Sequence, residues 1–127
     1  NVLSKAPTWS ERAETLIMRS KALLQLGRAD GAIADAQSVL ASEPENKKAK
    51  LALAVAHLDK REFTKAHTIL SGLIQADENA TVYFTRALAN YGMGNKKDAL
   101  ADIDRVARLN SSFPGLIQWS GRIKNMP

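Results

Sequence analysis

Two histidines, three aspartates and one glycine pair are the residues with which this chain could do chemistry. His57 and His67 stand ten positions apart. Imidazoles bind zinc or move protons when carboxylates or thiolates complete the set. No cluster of Asp or Glu joins them at metal-ligand spacing, and the chain has no cysteine. That removes disulfides, thiolate zinc sites and cysteine nucleophiles together. Serines and threonines are present, but no G-x-S-x-G elbow occurs. Gly92-Met-Gly94 could suggest a phosphate loop. It lacks the third glycine, the preceding strand and the lysine spacing of such loops, so it reads as a helix break. Asp35, Asp102 and Asp104 are expected to face solvent or salt-bridge partners. Asn79-Ala-Thr81 and Asn110-Ser-Ser112 match the N-glycosylation acceptor. The expectation is a protein without catalysis, cofactor or metal.

Composition sets the frame for these residues. The chain has 127 residues, 45% of them hydrophobic and 24% charged, which suits one folded domain rather than a disordered segment. With 6% aromatics, Gly 7 and Pro 4, turn signals are too few for an all-β sandwich or barrel. The formal net charge is +5, but residues 13–46 carry −2 and the excess is spread thinly over the rest. Lys47-Lys48-Ala-Lys50 and Lys96-Lys97 are the densest basic spots, and interleaved Asp and Glu dilute them. A nucleic-acid binder shows a continuous basic stripe with stacking aromatics, so no nucleic-acid partner is expected. The longest apolar runs are far shorter than the roughly 20 residues that span a bilayer, so no direct membrane insertion is expected. No charged-then-apolar leader opens the chain, and the compartment stays open between cytoplasm and bacterial periplasm.

Internal repetition organises the chain. Gly27-Arg-Ala-Asp-Gly-Ala32-Ile-Ala-Asp35 echoes Gly94-Asn-Lys-Lys-Asp-Ala99-Leu-Ala-Asp102 at an offset of 67, which also relates Arg19 to Arg86 and Ala22 to Ala89. Half that offset leads to a middle copy, Phe63-Thr-Lys-Ala66-His-Thr-Ile-Leu70, so that Ala32, Ala66 and Ala99 are spaced by 34 and 33. Each copy reads as two helices. Residues 13–26 carry Leu16, Ser20, Leu23 and Leu24 at helical spacing, and Gly27 breaks the run. Residues 30–42 carry Ala32, Ala36, Val39 and Leu40, and Pro44 ends it. Helices over 51–58 and 65–76 follow, then 83–91 and 97–109. No segment alternates with period two, so no sheet is expected.

In these residues the chain resembles the tetratricopeptide repeat family. The family's alternating large and small positions hold Leu16, Arg19, Ser20, Leu23, Ala32, Ala36, Val39 and Pro44 in the first copy. They hold Lys50, Leu53, Ala54, His57, Ala66, Leu70, Leu73 and Glu78 in the second, and Tyr83, Arg86, Ala87, Asn90, Ala99, Ile103, Val106 and Ser111 in the third. The small residues keep their places in all three copies; the aromatics do not. The resemblance implies an all-α fold of about seven helices, as helical hairpins stacked in a right-handed superhelical solenoid. Its repeats are expected at residues 13–46, 47–79 and 80–113. Residues 1–12 are expected to be the end of a preceding repeat helix or an N-terminal cap, because Val2-Leu3 followed by Pro7 parallels Val39-Leu40 followed by Pro44. Residues 114–127 are expected to form a capping helix that covers the last repeat with Leu116, Ile117, Trp119 and Ile123. Ser20, Ala54 and Ala87 should face Ala32, Ala66 and Ala99, bringing the two helices of each hairpin close together.

The resemblance also implies where a partner sits. In this family the first helices line a concave face, which maps here onto Ile17, Lys21, Leu24, Leu51, Val55, Leu58, Phe84, Leu88 and Tyr91. Family members that grip the terminal carboxylate of chaperones use a clamp of Lys, Asn and Arg. The matching places here hold Ile17, Lys21, Ala52, Thr81 and Thr85, which cannot form it. The expected task is a protein-interaction scaffold holding an apolar or amphipathic peptide or helix in its groove. The competing expectation is a structural segment of a larger bacterial envelope or exopolysaccharide-export protein, its groove filled by other repeats of the same parent chain.

Overall fold

Asparagine caps start two of the helices, and a shared turn closes each hairpin. The computed structural model describes residues 9–127. The expected reading of Val2, Leu3 and Pro7 as the end of a preceding helix lies outside the described residues. Seven helices follow in order: α1 (Trp9–Gln25), α2 (Ala29–Ser42), α3 (Lys47–Asp59), α4 (Phe63–Ala76), α5 (Ala80–Gly92), α6 (Lys96–Leu109) and α7 (Leu116–Lys124). No strand occurs among the described residues. Asn46 caps α3 by accepting from the Ala49 amide at 2.9 Å, and Asn79 caps α5 by accepting from Thr81 and Val82 at 2.8 and 3.3 Å. Each cap satisfies amides that the first helical turn leaves without partners. The Asn79 and Asn110 side chains of the two glycosylation motifs therefore both serve local turns, Asn110 accepting from the Ser112 amide at 3.1 Å.

The three hairpins close by the same turn. The amides of Arg28, Glu62 and Asn95 donate back to the carbonyls of Leu23, His57 and Asn90 at 2.8, 2.9 and 2.9 Å. This is the Schellman closure, which needs a left-handed residue just after the helix. Gly27 and Gly94 supply it with φ of 77° and 78°, and Arg61 supplies it with φ of 63°. Gly92, by contrast, ends α5 where the Phe63 ring passes: a Cβ there would lie 2.4 Å from Phe63 Cε1. The glycine pair is thus half turn, half seat for an aromatic ring.

Each helix packs on the next, and α1 touches α3 while α3 touches α5. The odd-numbered helices therefore form one layer of a right-handed superhelical, all-α solenoid. The small residues do what their spacing implied. Ser20, Ala54 and Ala87 are fully buried, as are Ala32, Ala66 and Ala99, and the Ser20 hydroxyl donates to the Ala32 carbonyl at 2.8 Å. Around them Leu70 and Leu73 fill the middle hairpin, and Ile103 and Val106 fill the third. Close packing leaves no room for added methylenes. Ala66→Leu should cost about 1–3 kcal/mol by overpacking, read as a lower urea midpoint at unchanged m-value.

Two of the three aspartates are not at the surface. Asp35 and Asp102 are 5% and 3% exposed. Each receives an arginine from the preceding helix in a two-pronged pair: Arg19 on Asp35 at 2.7 and 2.6 Å, and Arg86 on Asp102 at 3.0 and 2.7 Å. The salt-bridge half of the sequence expectation holds and the solvent half does not, since a buried carboxylate needs a matching charge. Asp104 does face solvent and pairs with Arg108 at 3.0 Å. The pairs Arg19–Asp35 and Arg86–Asp102 recur two repeats apart, at the offset of 67 residues. In the middle copy the same places hold Leu53 and Ile69, both half-buried.

Candidate functional site

The layer of odd-numbered helices bears a cavity of about 960 Å³. Its floor comes from α1, α3 and α5, which contribute Leu24, Val55, Leu58, Leu88 and Tyr91. These five half-buried side chains were all expected on the concave face from sequence. They meet because the odd helices stack in one layer and the side chains fall on the same helical face in each repeat. Three charged side chains stand on the margin: Asp59 and Arg61 at the α3–α4 turn, and Arg122 on α7.

Four expected residues lie elsewhere. Ile17 is 4% exposed and packs with Ala13, Val39 and Ala49 between the first hairpin and α3. Leu51 packs against the middle core. Phe84 turns toward the C-terminal helix, its ring 4.9 Å from that of Phe113. Lys21 is exposed and does not line the cavity.

One wall of the groove was absent from the sequence reading. Trp119, Arg122, Asn125 and Met126, on and just after α7, close its far end, with Phe63 from α4 beside them. Trp119 meets Tyr91 edge-on at 5.2 Å, and the Arg122 guanidinium lies 5.0 Å over the Trp119 ring. The signal was available in the repeat. Trp119 and Arg122 stand 34 residues after Thr85 and Leu88, so α7 continues the layer of first helices and presents the same face to the groove. For the same reason α7 covers the last repeat with Leu116 and Ile123, both buried, and not with Ile117, which is 84% exposed. A residue one step from Leu116 is turned about 100° away from it on a helix.

The histidines stay apart and serve local contacts. His57 Nδ1 lies 3.0 Å from Glu62 Oε1, and His67 Nδ1 lies 3.5 Å from the Ser71 hydroxyl on its own helix. Among the described residues no group of three or more His, Asp or Glu could hold a metal ion. His57, then Lys65, hold the Glu62 carboxyl below its ordinary value of 4.5. Arg105, then the Tyr83 hydroxyl, do the same for Glu78. A carboxyl depressed in the folded state stabilises the fold above its unfolded value, and that contribution is lost as pH falls through the folded value. The urea midpoint should therefore fall below about pH 4.5, the ordinary value of both groups. A Glu62→Gln, Glu78→Gln variant should show a shallower fall over that range.

A family model described as tetratricopeptide repeat matches residues 23–91, more than half of the chain. No curated protein matches it by sequence. Among solved structures it is similar to the first TPR domain of human RPAP3, with TM-score 0.82 and 18% identity over 88% of this chain and 89% of that one. It is similar also to the first TPR of Spaghetti (RPAP3) bound to an HSP90 peptide, with TM-score 0.82 and 19% identity over 91% and 94% of the two chains. A mutant O-GlcNAc transferase of Thermobaculum terrenum superposes with TM-score 0.86 at 13% identity, across 94% of this chain and 23% of that enzyme.

Proposed function

The chain belongs to the tetratricopeptide repeat family, and we propose that it is a non-catalytic scaffold whose concave groove holds an apolar or amphipathic segment of a protein partner. One observation carries this reading: five apolar side chains from three stacked helices converge on one open cavity of about 960 Å³, with Trp119 as its end wall. A groove of this kind suits a helix laid in with its apolar face down. Tyr91 and Trp119 in its lining are of the aromatic type that carries much of the binding energy at interfaces.

The related domain seen with an HSP90 peptide supports the use of this fold for peptide capture. The chemistry of the end-carboxylate clamp is not carried over. Ile17, Ala52 and Thr85 are buried, and the Thr85 hydroxyl is spent on the Thr81 carbonyl at 2.7 Å. Only Lys21 of the five clamp places carries a charge. The test is to charge the groove floor with Val55→Glu and Leu88→Glu and to follow peptide binding beside helical content.

A second reading, an assembly segment packed against other helices of a larger chain, has its own support. On the outer face α6 and α7 leave an apolar groove of about 690 Å³ lined by Leu100, Ala107, Leu116 and Ile117, with Gly121 in its wall. Gly121 stands 34 residues after Ala87, the place that in each hairpin faces a second helix. If this reading is right, Ile117→Lys disrupts assembly of the larger protein while leaving groove binding intact.

A further inference from the structure

Arg61 is the one non-glycine residue with positive φ among the described residues, at 63°. Its place in the repeat is that of Gly27 and Gly94, which close the same hydrogen-bonded turn at nearly the same φ. A side chain in the left-handed region is strained, and such strain persists where the side chain has a task. Inside the fold Arg61 has none: no ion pair, side-chain hydrogen bond or ring contact engages its guanidinium among the described residues. It is exposed and lines the concave groove. Arg122 lines the same groove from α7, held over the Trp119 ring and without a carboxylate partner. The lining side chains therefore present two unpaired guanidiniums against the single carboxylate of Asp59.

We infer that Arg61 and Arg122 form a rim that reads an acidic side chain, so that the groove takes peptides carrying Asp or Glu next to their apolar anchors. This rests on the groove being the binding site. Guanidinium forks recognise carboxylates by paired, charge-assisted hydrogen bonds, and a desolvated apolar floor beside them strengthens that attraction. The glycines of the first and third turns make the same backbone closure without strain, so the turn itself does not require an arginine. The lining carries two positive side chains and one negative, which gives the preference its sign.

The experiment is a random peptide display selection on the full chain, run in parallel on Arg61→Gly, Arg122→Gln and the floor variant Val55→Glu, Leu88→Glu. Peptides are blocked at both ends, so that a terminal carboxylate cannot substitute for a side chain. Selected wild-type peptides should be enriched in Asp or Glu beside Leu, Ile or Phe. Either arginine substitution should remove that enrichment and weaken the best peptide on the order of tenfold. Arg61→Gly should also keep or raise the thermal midpoint, by up to about 4 °C, because strain is relieved. Selection without acidic enrichment, or enrichment unchanged in both arginine variants, would overturn the inference and leave the groove reading in place. A lower midpoint for Arg61→Gly would assign the arginine to the turn and overturn it likewise. Peptides captured equally by wild type and the floor variant would overturn the groove reading, and this inference with it.

Discussion

Arg86→Leu alone is expected to cost about 3–5 kcal/mol of folding stability, the toll of leaving a buried charge without its partner. Asp102 is 3% exposed and takes two hydrogen bonds from Arg86 and one from Asn90 at 2.9 Å. Arg86 is itself largely covered, with 23% of its side chain exposed, and its Nη1 also donates to the Ser71 hydroxyl at 3.2 Å. Among the described residues Arg86 is the ion-pair partner of Asp102. The double variant Arg86→Leu, Asp102→Ile should recover most of the loss. It converts the third copy to the pattern of the middle one, where Leu53 and Ile69 occupy the equivalent places. Buried ion pairs replaced by apolar residues of similar size are often neutral. Urea denaturation of wild type, both single variants and the double variant completes the cycle. A double variant as unstable as either single one would show that the pair is worth more than its apolar counterpart. Arg19→Leu should cost much less than Arg86→Leu, because the Arg19 side chain is 62% exposed and water can reach Asp35 when it is gone.

Peptide affinity should fall at least about a hundredfold in Val55→Glu, Leu88→Glu, the range of loss for central interface anchors. Both side chains line the cavity floor and belong to none of the three buried clusters. Their replacement places two carboxylates where a partner's apolar face would rest, and a charge taken out of water without a partner is expensive. Both positions are only half-buried in the free protein, so its stability should change by only about 1 kcal/mol and its far-ultraviolet circular dichroism should not change. Titration calorimetry with a display-selected peptide reads the affinity. An unaltered affinity at intact helicity would move the binding surface to the outer face. Phe84 is a poor choice for such a test despite its family position. Its ring supports Phe113 and the start of α7, so its loss would loosen the fold itself.

The small residues show why so much was legible. Ser20, Ala54 and Ala87, and their partners Ala32, Ala66 and Ala99, recur because every hairpin must bring two helices to the same short distance. That geometric demand writes itself into residue size at a fixed period. The arginine–aspartate pairs were equally written, in the 67-residue offset, but charge in a sequence does not say whether it is buried. Burial depends on which helix lies over it. The N-terminal helix already includes Trp9, ahead of residue 13, because the repeat period marks the packed positions and not the extent of the backbone hydrogen bonding.

By itself, then, the sequence determined the helix count and the hairpin register, because both follow from periodic side-chain size. Only the tertiary structure decided which concave-facing candidates stay open. It buried Ile17 against the α2–α3 interface, turned Phe84 onto Phe113, and closed the groove with Trp119 and Arg122 from α7. Exposure is a property of neighbours, and a repeat at the end of a stack has different neighbours from one in the middle.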